Sequence, residues 1–342
     1  VPIRPFGLPV VATASGTAAQ STIVFVDHEG QGDVQNPQLE LFIGPRIDRT
    51  LLEGVLGASL SSYGGGIERS ISDVLGGVSL LNLIAKSREP DSPEVAALTA
   101  RINAGISRLV SSQRDDGGWS WSGRAGARAD RYATSRAAWA LAVANRNGFS
   151  IPPQIMTNAV SSLQTAFTAS GTADREGQAI LLHGLAEIGA ADFAWANRLY
   201  RERNNLSASG LLHVALTLIR LDRKEMAEDL LELVDLPLDP ATANSQQLSP
   251  AVLKCIPWMR SGVELRALYL LATQELFPTD KSAAQTAAWL MAARRGFRWN
   301  PEKANGPAMM ALAGWFSQKK FSSEKYKLTV QVNDKDVETI EV

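Results

Sequence analysis

Cysteine is almost missing from these 342 residues: the one example, Cys255, excludes an intramolecular disulfide and any cysteine-built metal cage. Histidine is nearly as scarce, with His28, His183 and His213, and none has a recognisable ligand spacing. Charge of one sign is lacking too. Lys+Arg of 34 against Asp+Glu of 35 leaves a net charge of -1, and no basic run is long enough to neutralise a phosphate backbone, which argues against nucleic acid as a partner. No stretch reaches the roughly 18 to 20 continuous apolar residues of a membrane span, and VPIRPFGLPV at the start lacks the charged-then-apolar plan of a signal peptide. With no methionine at the start and the strand-like VETIEV at the end, the expectation is a piece of a longer parent chain. What is present is apolar substance. At 45% hydrophobic residues, a chain of this length buries roughly three quarters of its unfolded surface and forms one large domain or two.

Three regions divide the sequence. Residues 1–45 read as β structure and loop, because STIVFVDHE and PQLELFIGP are β-branched or aromatic runs separated by EGQGDVQNP. From 46 to 321 the apolar residues fall at helical spacing, in segments such as DVLGGVSLLNLIA, TSRAAWALAVANRNG and SGLLHVALTLIRL. About a dozen helices of roughly 12 to 20 residues are expected, joined at Asn147-Gly148, Gly189, Ser207 to Gly210 and Phe277 to Asp280 into sequential antiparallel pairs. Residues 322–342 return to alternation, with Tyr326, Leu328, Val330 and Val332 on one face, followed by a turn over Asn333 to Asp336. Two half-sheets flanking a helical block are each marginal alone, so the two β regions are expected to form one sheet.

Several motifs stand out. SSQRDDGGWSW (111–121) makes an acidic, glycine-rich turn with Asp115, Asp116, Trp119 and Trp121, a QxxxGxW-like pattern found in α/α toroids. RADRYATSRAAWALAVANRNGFSIP follows, carrying Asp130, Arg131, Tyr132, Thr134, Leu141, Gly148, Phe149 and Pro152, and QTAAWLMAARRGFRWNPEKANGPAMMALAGWF lies near the other end. In this order the motifs resemble the helical thioester-type domain of bacterial alpha-2-macroglobulins; the family's usual alanine after Thr134 is Ser135 here.

That resemblance implies an α/α toroid inserted in a partial CUB-like β domain, contributed by 1–45 and 322–342. It implies a non-catalytic module within a secreted, periplasmic or cell-envelope parent, with the parent's other domains and proteases as partners. It places the family's reactive Cys-x-Glu-Gln on Gly66, Ile67, Glu68 and Arg69, or one residue earlier on Gly65 to Glu68. The chemistry needs a thiol acylated by a side-chain amide. Neither glycine nor arginine supplies one, so no thioester, no catalytic residue, no cofactor and no metal are expected, and Glu68 is expected to cap or pair at a helix start. Cys255 lies almost 190 residues away, before Ile256-Pro257, and is expected to be inert. The competing reading is a toroid enzyme of terpenoid-cyclase-like or polysaccharide-acting type, with Asp115, Asp116, Trp119, Trp121, Asp130 and Arg131 as its mouth or binding residues. A cyclase's Asp-x-Asp-Asp cluster is absent from it.

Overall fold

Twelve α-helices and one β-hairpin make up the described part of the chain in a computed structural model. It describes residue 23, 47–57, 66–85, residue 89, 91–124, 126–171, 174–236, 261–294, 297–318, 327–333 and 335–341. The N-terminal strands expected within 1–45, their pairing with the C-terminal segment, His28 and Cys255 all lie outside those residues.

Polar caps and glycines set the helix limits where the sequence placed its turns. The first three helices are α1 (Asp48–Leu56), α2 (Ile67–Ile84) and α3 (Pro93–Ser111), the last entered through a proline in its first turn, where the missing N–H costs nothing. Helix α4 (Arg131–Arg146) starts on Asp130, whose carboxylate accepts from the amides of Tyr132 and Ala133. Another proline opens α5 (Pro153–Ala169), and α6 (Arg175–Ile188) ends on Gly189 at φ 84°, a left-handed conformation that favours glycine. Asp192 caps α7 (Phe193–Arg201), Ser207 caps α8 (Ala208–Arg220), and α9 is Lys224–Leu231. Ser261 caps α10 (Gly262–Leu276), Asp280 caps α11 (Lys281–Ala292), and α12 is Asn305–Ser317. Three of the connecting helices are shorter than the periodicity predicts: α1 and α7 have 9 residues and α9 has 8.

Even-numbered helices form a closed inner ring. Each packs on the next, α2 on α4, α4 on α6, and so on through α10 and α12, and α12 returns to α2. Odd-numbered helices pack outside, against their neighbours in sequence. Burial separates the two layers. Helix α4 buries every residue from Tyr132 to Ala144, whereas α5 buries only Ala159, Leu163 and Phe167, one stripe at a spacing of four. Helix α4 is enclosed on all sides, which its small side chains, six of them alanine, allow. The architecture is the α/α toroid expected, mainly α with a small β element.

After the ring, β1 (Lys327–Val332) and β2 (Lys335–Glu341) pair antiparallel from Lys327 opposite Glu341 to Val332 opposite Lys335, with an irregularity between Val330 and Gln331. Asn333 turns the chain at φ 51°, a conformation asparagine tolerates. Leu328, Val330 and Val332 are half-buried while Lys327, Thr329 and Gln331 are exposed, the alternation the sequence predicts.

Candidate functional site

Gly66 is the N-cap of α2, with φ -60° and ψ -174°, and the next amide, Ile67 N–H, donates to the Trp121 carbonyl at 2.9 Å. That carbonyl lies so close that a Cβ added at Gly66 would sit 2.4 Å from the oxygen. A side chain there requires the Trp121 backbone to move. The turn at 111–121 therefore closes the start of α2, the position matched to the reactive motif.

Glu68 is taken up by an ion pair. Its two oxygens accept from Arg136 Nε at 2.7 Å and Arg136 Nη2 at 3.2 Å, a two-pronged contact across 68 residues. Arg136, 4% exposed on α4, also donates to Glu264 Oε1 at 2.5 Å and to the Lys303 carbonyl at 2.6 Å. Lys303 Nζ lies 2.6 Å from Glu264 Oε2. Burial alone would favour a neutral guanidine, but Glu68 and Glu264 outweigh it and hold Arg136 above its ordinary pKa. Burial would likewise raise Glu264, yet Lys303 and Arg136 overcome it and keep that carboxylate below its usual range. The result is a buried cluster of two carboxylates and two cations joining α2, α4, α10 and the turn before α12. Glu68 pairs at a helix start, as its position predicts; Arg136 and Glu264 have no signal in the sequence beyond being charges inside apolar segments, and Lys303 none beyond being a charge in a polar turn.

Arg69, the last residue of the matched motif, lies beside a second buried group. Asp73 accepts from Arg101 Nε at 2.9 Å and Arg298 Nη2 at 3.1 Å, and Arg298 reaches Glu302 Oε1 at 2.8 Å. Partial burial and the nearby positive charges of Arg298 and Arg101 lower the Arg69 pKa, against the pull of Asp73 and Glu302. None of Gly66, Ile67, Glu68 and Arg69 offers the thiol or the side-chain amide from which a thioester is built. Gly65, on which the alternative register depends, lies outside the described residues.

The acidic and aromatic candidates hold the turn together. Asp116 Oδ1 accepts from the Gly118 amide at 3.0 Å, and Asp130 caps α4 while its own amide donates to the Trp119 carbonyl at 2.8 Å. Gly117, at φ 79°, faces the Asn158 carbonyl so closely that a Cβ would come within 2.2 Å. Trp119 is fully buried and donates its indole N–H to the Leu109 carbonyl at 2.7 Å. Arg131 pairs with Asp174 and donates to Ser170 Oγ at 2.9 Å and the Tyr132 hydroxyl at 2.8 Å. Asp115 is exposed and Trp121 half-buried. Among the described residues no group of three or more His, Cys, Asp and Glu could hold a metal ion.

A Gly66→Cys, Arg69→Gln double variant is therefore expected to release no ammonia and to lose about 1–3 kcal/mol of stability, the usual cost of forcing atoms into a filled site. Ammonia assay and chemical denaturation check both; quantitative ammonia release would show that the Trp121 carbonyl yields readily.

No protein-family model matches the chain, and no curated protein matches it. Solved structures do. Native alpha-2-macroglobulin from Escherichia coli, spanning domain MG7 to the C-terminus, is 18% identical, with 87% of this chain and 45% of that chain covered at a TM-score of 0.59. Salmonella alpha-2-macroglobulin reacted with methylamine is 17% identical over 87% of this chain and 19% of its own, also at 0.59. E. coli alpha-2-macroglobulin activated by porcine elastase is 18% identical over 85% of this chain and 26% of its own, at 0.54. This chain thus spans about a fifth of the Salmonella protein's length and under half of the E. coli fragment's. At such identities the likeness establishes the fold.

Proposed function

We propose that this chain is a non-catalytic module of an alpha-2-macroglobulin-like protein, serving the parent in the entrapment of proteases or the binding of other proteins without a covalent bond. The observation that carries this reading is the sealed start of α2. Gly66 has no room for a side chain against Trp121, and Glu68 is committed to Arg136. The position that the resemblance matches to the family's reactive motif is here a packed helix start joined to a buried ion cluster. In the same reading, residues 1–45 and 322–342 complete a CUB-like β domain around the toroid of 46–321, and the parent is secreted, periplasmic or attached to the cell envelope.

Methylamine treatment of the purified chain is expected to leave its intact mass equal to the sequence mass, with the Cys255 thiol still free. An adduct together with loss of that thiol sinks the claim. Elastase or trypsin incubated with the full-length parent is expected to co-elute with it under native conditions and to separate fully in denaturant. A protease that stays attached after denaturation means covalent capture, and one that never co-elutes means that this parent does not entrap proteases.

A further inference from the structure

Two of the three histidines meet inside the ring. His183 of α6 and His213 of α8 are 2% and 6% exposed, and their Nδ1 atoms lie 3.1 Å apart with the rings tilted at 50°. A nitrogen pair at that distance holds one proton: one Nδ1–H donates and the other Nδ1 accepts through its lone pair. Two imidazolium ions cannot make this contact, because each would point an N–H at the other. The contact is therefore tied to a proton count, and imidazole is the side chain whose count changes nearest neutral pH.

The neighbours make the second positive charge the costly one. His183 Nε2 stands 3.6 Å from Glu187 Oε1, so a first charge on the pair has a carboxylate beside it. Arg220 of α8 and Arg146 of α4 share that carboxylate, and Glu275 of α10 lies near Arg220. The surroundings of His213 are cationic: His183 itself, Arg136 of α4 and Lys303 of the turn before α12. Glu68 of α2 and Glu264 of α10 are already bonded to those last two. Among the outer helices, α5 carries no ionisable side chain, Arg198 of α7 bonds to Gln178, and Asp229 of α9 takes the Tyr200 hydroxyl. Burial first, and then His183, Arg136 and Lys303, push His213 well below its ordinary pKa.

Polar contacts join α6 to α8 at three levels. Near the helix starts, Glu176 accepts from the Ser207 amide at 2.5 Å and its hydroxyl at 2.8 Å; near the ends, Arg220 meets Glu187 at 2.8 Å; the histidines lie between. We propose that the His183–His213 contact is an acid-released latch in the ring, holding α6 to α8 while one imidazole of the pair is neutral and freeing that seam when both are protonated. Acid works against the contact through His213. Its folded pKa lies below the unfolded value of 6.5, so the stability it contributes is complete above about 6.5 and is lost as pH falls from there. The buried carboxylates produce no such effect. Glu187 and Glu264 are held below the ordinary 4.5 and act only near and below it, while Glu176 and Glu302 are raised by burial, so that acid favours their folded form.

Hydrogen exchange of the unmodified protein at pH 7 and pH 5, corrected for the intrinsic exchange rate at each pH, tests the latch. Uptake of one proton below about pH 6.5 multiplies the opening constant by about tenfold per pH unit, or about thirtyfold by pH 5. Amides of α6 and α8 are expected to show that rise, and at pH 5 to exchange more readily than those of α2 and α12. His213→Asn keeps a donor and an acceptor near the Nδ1 position but takes up no proton, so its α6 and α8 amides are expected to lose the rise. No rise in the unmodified protein, equal protection of all four helices at pH 5, or a rise that persists in folded His213→Asn overturns the proposal. Nitrogen-15 NMR of the imidazoles needs no variant: at pH 7 one of the two Nδ1 atoms is expected to carry a proton and the other not. Two protonated or two bare Nδ1 atoms overturn the shared-proton contact and the latch with it.

Discussion

Arg136→Met is expected to destabilise the protein by about 3–5 kcal/mol, the usual result of stripping one partner from a buried ion cluster. The loss comes less from the missing contacts than from what they leave behind. Glu264 is almost wholly buried and Glu68 largely so, and without Arg136 only Lys303 remains to balance them. The acidity of the effect gives it a signature. Glu264 has its folded pKa held below the unfolded value of 4.5, so its contribution is present above that value and is lost as pH falls through the folded one. Removing Arg136 raises the folded pKa and shrinks that contribution. The gap between wild type and variant should therefore be widest near neutral pH and should narrow below about pH 4.5, the ordinary carboxylate range. Urea unfolding at pH 7 and at pH 4 measures both. A second variant, Arg136→Met with Glu264→Gln, should recover part of the loss, because the two changes touch the same network and cannot add. A gap independent of pH, with no recovery, would mean that the guanidinium acts through packing alone.

The ring was readable from the sequence because its signals are local. Proline in the first turns of α3 and α5, aspartate or serine before α4, α7, α8, α10 and α11, and glycine after α6 all act within a few residues of the backbone they satisfy. The 111–121 turn was readable for the same reason. The cluster around Arg136 was not, since its partners lie 68, 128 and 167 residues away and a buried arginine looks like any other charge until the ring closes. His183 and His213 show no ligand spacing in the sequence; closure of α6 on α8 makes them a pair. In the 111–131 segment the carboxylates of Asp116 and Asp130 accept from nearby backbone amides, a competition that composition does not reveal. A cavity of about 300 Å³, walled by the C-terminal halves of α2, α6, α8, α10 and α12 with Trp139 of α4, takes one or a few residues from each helix, so no stretch of sequence contains it.

Trp119→Ala is expected to cost about 3–5 kcal/mol, because it empties a fully enclosed indole site that the surrounding helices can only partly collapse into. Part of that loss is polar: the Leu109 carbonyl, at the end of α3, gives up its bond from the indole N–H. Trp119→Phe isolates this part and should cost about 1–3 kcal/mol, the penalty for a buried acceptor left unpaired. The backbone of Trp119 is held independently, by the Thr134 hydroxyl on its amide and the Asp130 amide on its carbonyl, so the turn should loosen without unravelling. Loosening reaches the candidate site two residues later, where the Trp121 carbonyl accepts the Ile67 amide and closes α2 over Gly66. Hydrogen exchange at the Ile67 amide should therefore speed up in Trp119→Ala by more than the global loss of stability accounts for, while amides in the middle of α8 follow the global loss alone. An unchanged denaturation midpoint would place the indole outside the core. Slow Ile67 exchange in a destabilised variant would mean instead that the start of α2 is sealed by something other than this turn, and that the space over Gly66 does not depend on where Trp119 packs.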